Sequence, residues 1–259
     1  MPFCDKCGAQ VATGNSFCAS CGAPVRQIGQ PQISAASEER SALTKVMWYG
    51  VVGIVGLVGG WVLSFLIFGA MIMSSTNLNL PPNAPPSQVG AALGPLFHNL
   101  SLLVPSILVI GLIGDVLLTL GFRDLSKVDD SKFSLPWKFM IALIVGAVLA
   151  ASSFILLFNS IPNIIAQAPT GSETPSQAFF SAISSLLFAA LIATIGGIMT
   201  LAGTIGGKIL GLWRVGSRYN STIIKVGAIF VIIPLLDFVA PILVLIGAYE
   251  ARGRLSKPM

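Results

Sequence analysis

VMWYGVVGIVGLVGGWVLSFLIFGAMIM, residues Val46–Met73, has no charged side chain over more than the roughly 20 helical residues that cross a bilayer. Backbone held that deep in hydrocarbon must satisfy its N–H and C=O groups internally, so the stretch reads as a membrane helix. Three further runs reach the same length: Ser101–Phe122, Pro136–Phe158 and Ala178–Gly206. The whole composition agrees with them. The chain is 54% hydrophobic and 10% charged, with mean hydropathy +0.85. A soluble domain carries about a quarter charged residues, so a folded body in water is excluded in favour of an all-α membrane bundle in a lipid bilayer.

A fifth stretch, Thr222–Glu250, is long enough to cross but is interrupted by Pro234, Asp237 and Pro241. Positive charge beside the spans decides how to read it. Arg40 and Lys45 precede the first span, Arg123, Lys127 and Lys132 join the second to the third, and Lys208, Arg214, Arg218 and Lys225 follow the fourth. The alternate connections, Ser74–Leu100 and Asn159–Gln177, carry no Lys or Arg. The pattern predicts a multi-pass protein of the cell membrane with a cytoplasmic N-terminus. A single fifth crossing would put Arg252, Arg254 and Lys257 outside. A re-entrant hairpin keeps every basic residue on one side, with a cytoplasmic C-terminus and a proline-bounded break near mid-membrane. The hairpin is the expectation; a single kinked span is the alternative.

Three segments follow from this reading: a cysteine module over residues 1–25, a polar, flexible linker over 26–44, and the transmembrane domain over 45–259. Ser37-Glu38-Glu39 reads as the start of the first helix, with Ser37 as its cap and two acids in its first turn. A cleavable signal peptide is not expected, because the apolar segments begin only after residue 45 and a polar cysteine module precedes them.

The module contains all four cysteines, as Cys4-Asp5-Lys6-Cys7-Gly8 and Cys18-Ala19-Ser20-Cys21-Gly22. Two thiolates at this spacing bind one tetrahedral ion from a tight turn, and two such turns close a four-sulfur site. The glycine after each pair supplies the positive φ that lets the turn close. So short a segment has too little core to fold alone, whereas structural zinc supplies about 10–16 kcal/mol. Cys4, Cys7, Cys18 and Cys21 are therefore predicted ligands of a structural zinc ion, with iron the lesser alternative by spacing alone. A redox pair lacks its βαβ context, and disulfides do not suit a cytoplasmic location. Phe3 and Phe17, each just before a pair, are expected to pack over the metal. The module resembles the small zinc-ribbon domains at the N-termini of many prokaryotic membrane proteins, over residues 3–24.

Two ionisable residues lie well within the spans, Asp115 and Asp237, and an intramembrane carboxylate is a functional candidate by default. No basic or histidine partner is expected at comparable depth. Asp115 then reads as structural, reaching water near Arg123, and Asp237 as either a half-helix cap or a coupling residue for transport. Gly50, Gly53, Gly56, Gly59 and Gly60 in the first run, and Gly196, Gly197, Gly203, Gly206 and Gly207 in the fourth, permit close helix approach. Packing within the bundle is the first reading of them, and a homo-oligomer seam the second. Trp48, Tyr49, Trp137, Trp213 and Tyr219 read as interfacial anchors. The connector Lys208–Tyr219 either lies on the membrane surface or extends the fourth helix.

Leu212-Trp213-Arg214-Val215-Gly216, Arg218-Tyr219-Asn220, Lys225-Val226-Gly227, Ile232-Ile233-Pro234-Leu235-Leu236 and Leu245-Ile246-Gly247 resemble the C-terminal signature of an archaeal polytopic membrane family, of the domain of unknown function 973 type. The likeness spans roughly residues 40–250. It implies kinship and no activity.

Enzyme function is not expected. The single histidine, His98, falls in an outer loop with no acid beside it, and no nucleophile, zincin or phosphate-loop motif is present. Two readings remain. The first is a membrane scaffold or assembly factor whose ribbon binds a protein partner. The second is a small transporter or channel working at the broken fifth segment around Asp237. The module's nearly balanced charge and few aromatics argue against nucleic acid.

Overall fold

In a computed structural model of the chain, the apolar runs fold as long helices that hydrogen-bond to themselves, as hydrocarbon requires. The structure describes residues 3–4, 6–11, 17–23, 31–75, 80–81, 83–169, 175–233, 236 and 238–255. Among them four helices are long and apolar enough to cross a membrane: Ala35–Ala70, Pro86–Val128, Asp130–Ala166 and Gln177–Arg218. They correspond to α1 (Pro31–Ser75), α2 (Pro86–Val128), α3 (Asp130–Ala166), and α4 (Gln177–Gly203) continued through a π-helical turn (Thr204–Ile209) into α5 (Leu210–Arg218). Two short helices follow, α6 (Thr222–Phe230) and α7 (Ala240–Leu255). Among the described residues the only extended pairing is an isolated Phe3–Gln10 bridge.

Several boundaries differ from the sequence reading. α1 starts at Pro31, so residues 31–44 of the expected linker are helical and Ser37 lies inside the helix. The cause is tertiary as well as local: Ala42, Leu43 and Val46 are fully buried in one core with Leu118, Phe122 and Leu125 of α2. α2 starts at Pro86, where proline suits the first helical turn, so His98 stands on a helix and not in a loop. The basic connector Lys208–Tyr219 extends the fourth helix. It ends where Asn220 takes a left-handed φ of 50° and Ser221 caps α6 by accepting from the Ile224 N–H.

The core is concentrated at one end of the bundle. Phe122, Phe133, Met140, Leu212, Ile224 and Val244 are fully buried there, drawn from α2, α3, α5, α6 and α7. Toward the other end α1 turns Trp61, Phe65, Leu66 and Met73 outward. Such side chains cost nothing against lipid tails.

Glycine sets the helix crossings. A Cβ on Gly146 would stand 2.7 Å from the Gly196 carbonyl oxygen, and one on Gly203 would stand 2.6 Å from Leu143 backbone, which brings α3 and α4 into backbone contact. Gly50 and Gly53 of α1 do the same for α7, where a Cβ would meet the Pro241 carbonyl oxygen at 2.7 Å and the Pro241 ring at 2.6 Å. Gly50, Gly53, Gly56, Gly59 and Gly60 thus meet partners inside the chain.

The two halves of the fifth stretch pack against each other in opposite directions. Gly247, midway along α7, faces Ile224 and Ser221 at the start of α6, while Gly227, late in α6, faces Ala240 and Val244 at the start of α7. Arg254 donates to the Tyr219 carbonyl at 3.4 Å, so the free ends of the hairpin meet. Its turn abuts α1 at Gly53, about 12 Å along the helix from Lys45 at 1.5 Å per residue.

Candidate metal centre and membrane-embedded ion pair

The two cysteine turns are built alike. Gly8 N–H donates to the Cys4 carbonyl and Gly22 N–H to the Cys18 carbonyl, both at 2.8 Å. Cys4 N–H and Cys18 N–H reach the Ala9 and Ala23 carbonyls at 2.9 and 2.8 Å. Gly8 and Gly22 sit at φ 71° and 67°, which a side chain would resist. The turns aim four sulfurs at one point: Cys4 and Cys21 Sγ are 3.6 Å apart, as are Cys7 and Cys18, and all four lie within 4.8 Å of one another. None is in a disulfide.

The electrostatics suit a cation. Backbone N–H groups of Lys6 and Cys7 hold the Cys4 thiol below its ordinary range, and those of Ser20 and Cys21 bring Cys18 down to about 6. At Cys21 the Ala23 N–H favours the thiolate, but the neighbouring Cys7 and Cys4 sulfurs win and push it up to about 12. Four sulfurs this close can all be thiolates only around a cation, and this donor set fits a metal with no coordination site left for water. Phe3 and Phe17 do not pack over the sulfurs. They are 59% and 64% exposed, and Val11, with Ala9 and Ala23, fills the small core beside Cys4 and Cys18.

Asp115 has a partner after all. Lys208 Nζ lies 3.0 Å from its Oδ1, with side-chain exposures of 17% and 12%. The contact is a charge pair without hydrogen-bond alignment at that oxygen. Lys208 also stands 5.3 Å above the Tyr49 ring centroid, a cation–π contact that adds to the pair. Lys208 belongs to the π-helical turn, where Gly206 and Gly207 press on Phe139 and Met140 of α3. The wide turn and the two glycines rotate the lysine toward α2. It is readable in the sequence only as a lysine abutting an apolar run, which counts for orientation and not for pairing.

Tyr49, Asp115 and Lys208 border a cavity of about 350 Å³ between α1, α2 and the hairpin turn, which contributes Phe238 and Pro241. Asp237 lies outside the described residues.

A second set of charges ties the basic ends of the helices together. Lys45 of α1 pairs with Asp124 of α2, which also accepts from Ser41 at 3.2 Å and pairs with Lys127 at 3.1 Å. Lys127 reaches Glu38 at 3.2 Å. Arg218 of α5 bridges Glu39 of α1 and Asp129, the latter at 3.2 Å, and Arg214 donates to the Lys132 carbonyl. Ser131 and Lys132 hold the Asp129 carboxyl below the usual range. Glu38 and Glu39 therefore act across helices, and not only as first-turn acids.

The spans, the hairpin and the closed sulfur site define a multi-span helical membrane protein with a four-cysteine metal-binding module at its N-terminal end. The chain belongs to the family described as Protein of unknown function (DUF973), whose model matches residues 40–258, and residues 3–25 match a zinc-ribbon domain. No curated protein and no solved structure matches the chain.

Proposed function

We propose that the protein is a membrane scaffold or assembly factor without enzymatic activity, in which a zinc-bound ribbon recruits a protein partner. The observation that carries this reading is the placement of Phe3 and Phe17. Each precedes a cysteine pair and leaves its ring exposed on a body too small to have apolar surface to spare. Exposed aromatics held on a rigid support are the usual anchors of protein interfaces. Zinc is the ion we assign, because four sulfurs in a closed site suit its tetrahedral preference. The positive charge beside the spans supports an orientation with the ribbon, the ion-paired helix ends and both ends of the α6–α7 hairpin in the cytoplasm. On that orientation the hairpin enters the membrane to about its middle and returns.

Affinity capture on solubilised native membranes tests the recruitment. The wild-type protein is expected to retain a partner that is lost with Phe3→Ala plus Phe17→Ala, while metal analysis still finds zinc bound. Cys4→Ser plus Cys18→Ser is expected to lose both. Equal recovery of the partner by the wild type and the two-phenylalanine variant would refute the ribbon's role.

A second reading, a small transporter or channel, is favoured by the cavity that joins the Asp115–Lys208 pair to the hairpin turn. It ranks below the first, because a carboxylate already neutralised by a fixed lysine serves packing better than passage of an ion. Flux through reconstituted liposomes that disappears with Asp115→Asn or Asp237→Asn would reverse the order.

A further inference from the structure

We infer that the groove between the N-terminal part of α1 and the end of α7 binds a phosphate group, with Arg40 and Arg252 as its two ligands. The groove has a volume of about 670 Å³ and is lined by Ser37, Arg40, Ser41 and Thr44 from α1 and by Arg252 from α7. Two guanidinium groups on one groove repel each other unless an anion stands between them. The described residues supply none. Among the described residues neither arginine forms an ion pair, whereas Glu38, Glu39, Asp124, Asp129 and Glu250 all face other cations. The Ser41 and Thr44 hydroxyls do not take a donor role either, since Ser41 donates to Asp124 and Thr44 to the Arg40 carbonyl. The arginines are thus the groove's strong donors, and a guanidinium fork matches phosphate oxygens.

Position suggests where the phosphate comes from. Arg40 precedes the start of the apolar run at Val46 by about 9 Å of helix, and Trp48 beyond it is half exposed, as an interfacial anchor should be. Arg252 reaches the same level because α7 runs down α1 from Pro241 beside Gly53 to its own basic end. That level is the headgroup layer, where basic side chains attract anionic lipid. An anionic phospholipid headgroup and free phosphate share the recognising chemistry.

The full-length protein in neutral detergent separates them by thermal unfolding with three additions: short-chain phosphatidylglycerol, short-chain phosphatidylcholine, and inorganic phosphate. The wild type is expected to be stabilised by phosphatidylglycerol and not by phosphatidylcholine. Arg40→Gln and Arg252→Gln should each weaken the apparent affinity about tenfold or more, as loss of one charge-assisted contact predicts. Arg252→Lys should fall between, because it keeps the charge and loses the fork. Arg254→Gln, outside the groove, should respond as the wild type does. Stabilisation by phosphatidylglycerol alone identifies a lipid site; an equal response to inorganic phosphate keeps the site and identifies free anion as its ligand. An unresponsive wild type, or arginine variants that respond as fully as Arg254→Gln does, would overturn the inference.

Discussion

At the scale of single residues, the Asp115–Lys208 pair shows how a charge is kept inside an apolar bundle. Neither group is stable there alone, because an unpaired ion loses its hydration without compensation. Together they neutralise each other, and the Tyr49 face supports the ammonium. Asp115→Asn should therefore destabilise the protein by about 3 kcal/mol, the low end for breaking a buried pair, by leaving Lys208 as an uncompensated charge. Adding Lys208→Met should recover most of that loss, and unfolding midpoints of the four proteins in detergent would measure it. Losses that simply add in the double variant would show that the two residues do not depend on each other. The carboxylate was legible in the sequence as an outlier among apolar residues. Its partner was not, because Lys208 lies far along the chain and reaches α2 only through a π-helical turn that no periodicity announces. The ribbon is the opposite case: Cys4, Cys7, Cys18 and Cys21 and the glycines after each pair state their geometry locally. The error there concerned Phe3 and Phe17, whose burial depends on the surrounding fold and not on spacing.

At the scale of elements, the helices are placed by the glycines between them. Long apolar runs were readable because span length and composition determine them, but their ends were not. α1 extends back to Pro31 since Ala42, Leu43 and Val46 find partners on α2, a tertiary effect invisible in a polar segment. Proline at Gly53's contact explains why the hairpin docks where it does: the Pro241 ring fills the space a side chain would occupy. Gly53→Leu should push α7 off α1 and destabilise by about 1–3 kcal/mol, the usual range for overpacking, with greater protease sensitivity near the C-terminal end of the chain. Gly69→Ala, on the same helix with nothing within 4 Å, should be neutral or stabilising by up to about 1 kcal/mol. Equal effects of the two would mean that the α1–α7 contact contributes little.

At the scale of the whole molecule, one end of the bundle holds the core, the cross-helix ion pairs, the paired arginines of the groove and the meeting ends of the α6–α7 hairpin. The other end is apolar and turned outward. This polarity is what a protein organised around one membrane face requires, and the alternation of basic connections with ones that lack Lys and Arg already implied it. The antiparallel packing of α6 and α7 is consistent with the re-entrant arrangement proposed above. The proposed topology puts the ribbon and the C-terminal arm on the cytoplasmic face, because the fifth stretch enters and returns. Protease sites appended to each end, tested in sealed inverted and right-side-out vesicles, measure it directly. Cleavage is expected at both ends in inverted vesicles and at neither in right-side-out ones. Cleavage of the two ends in vesicles of opposite orientation would contradict it.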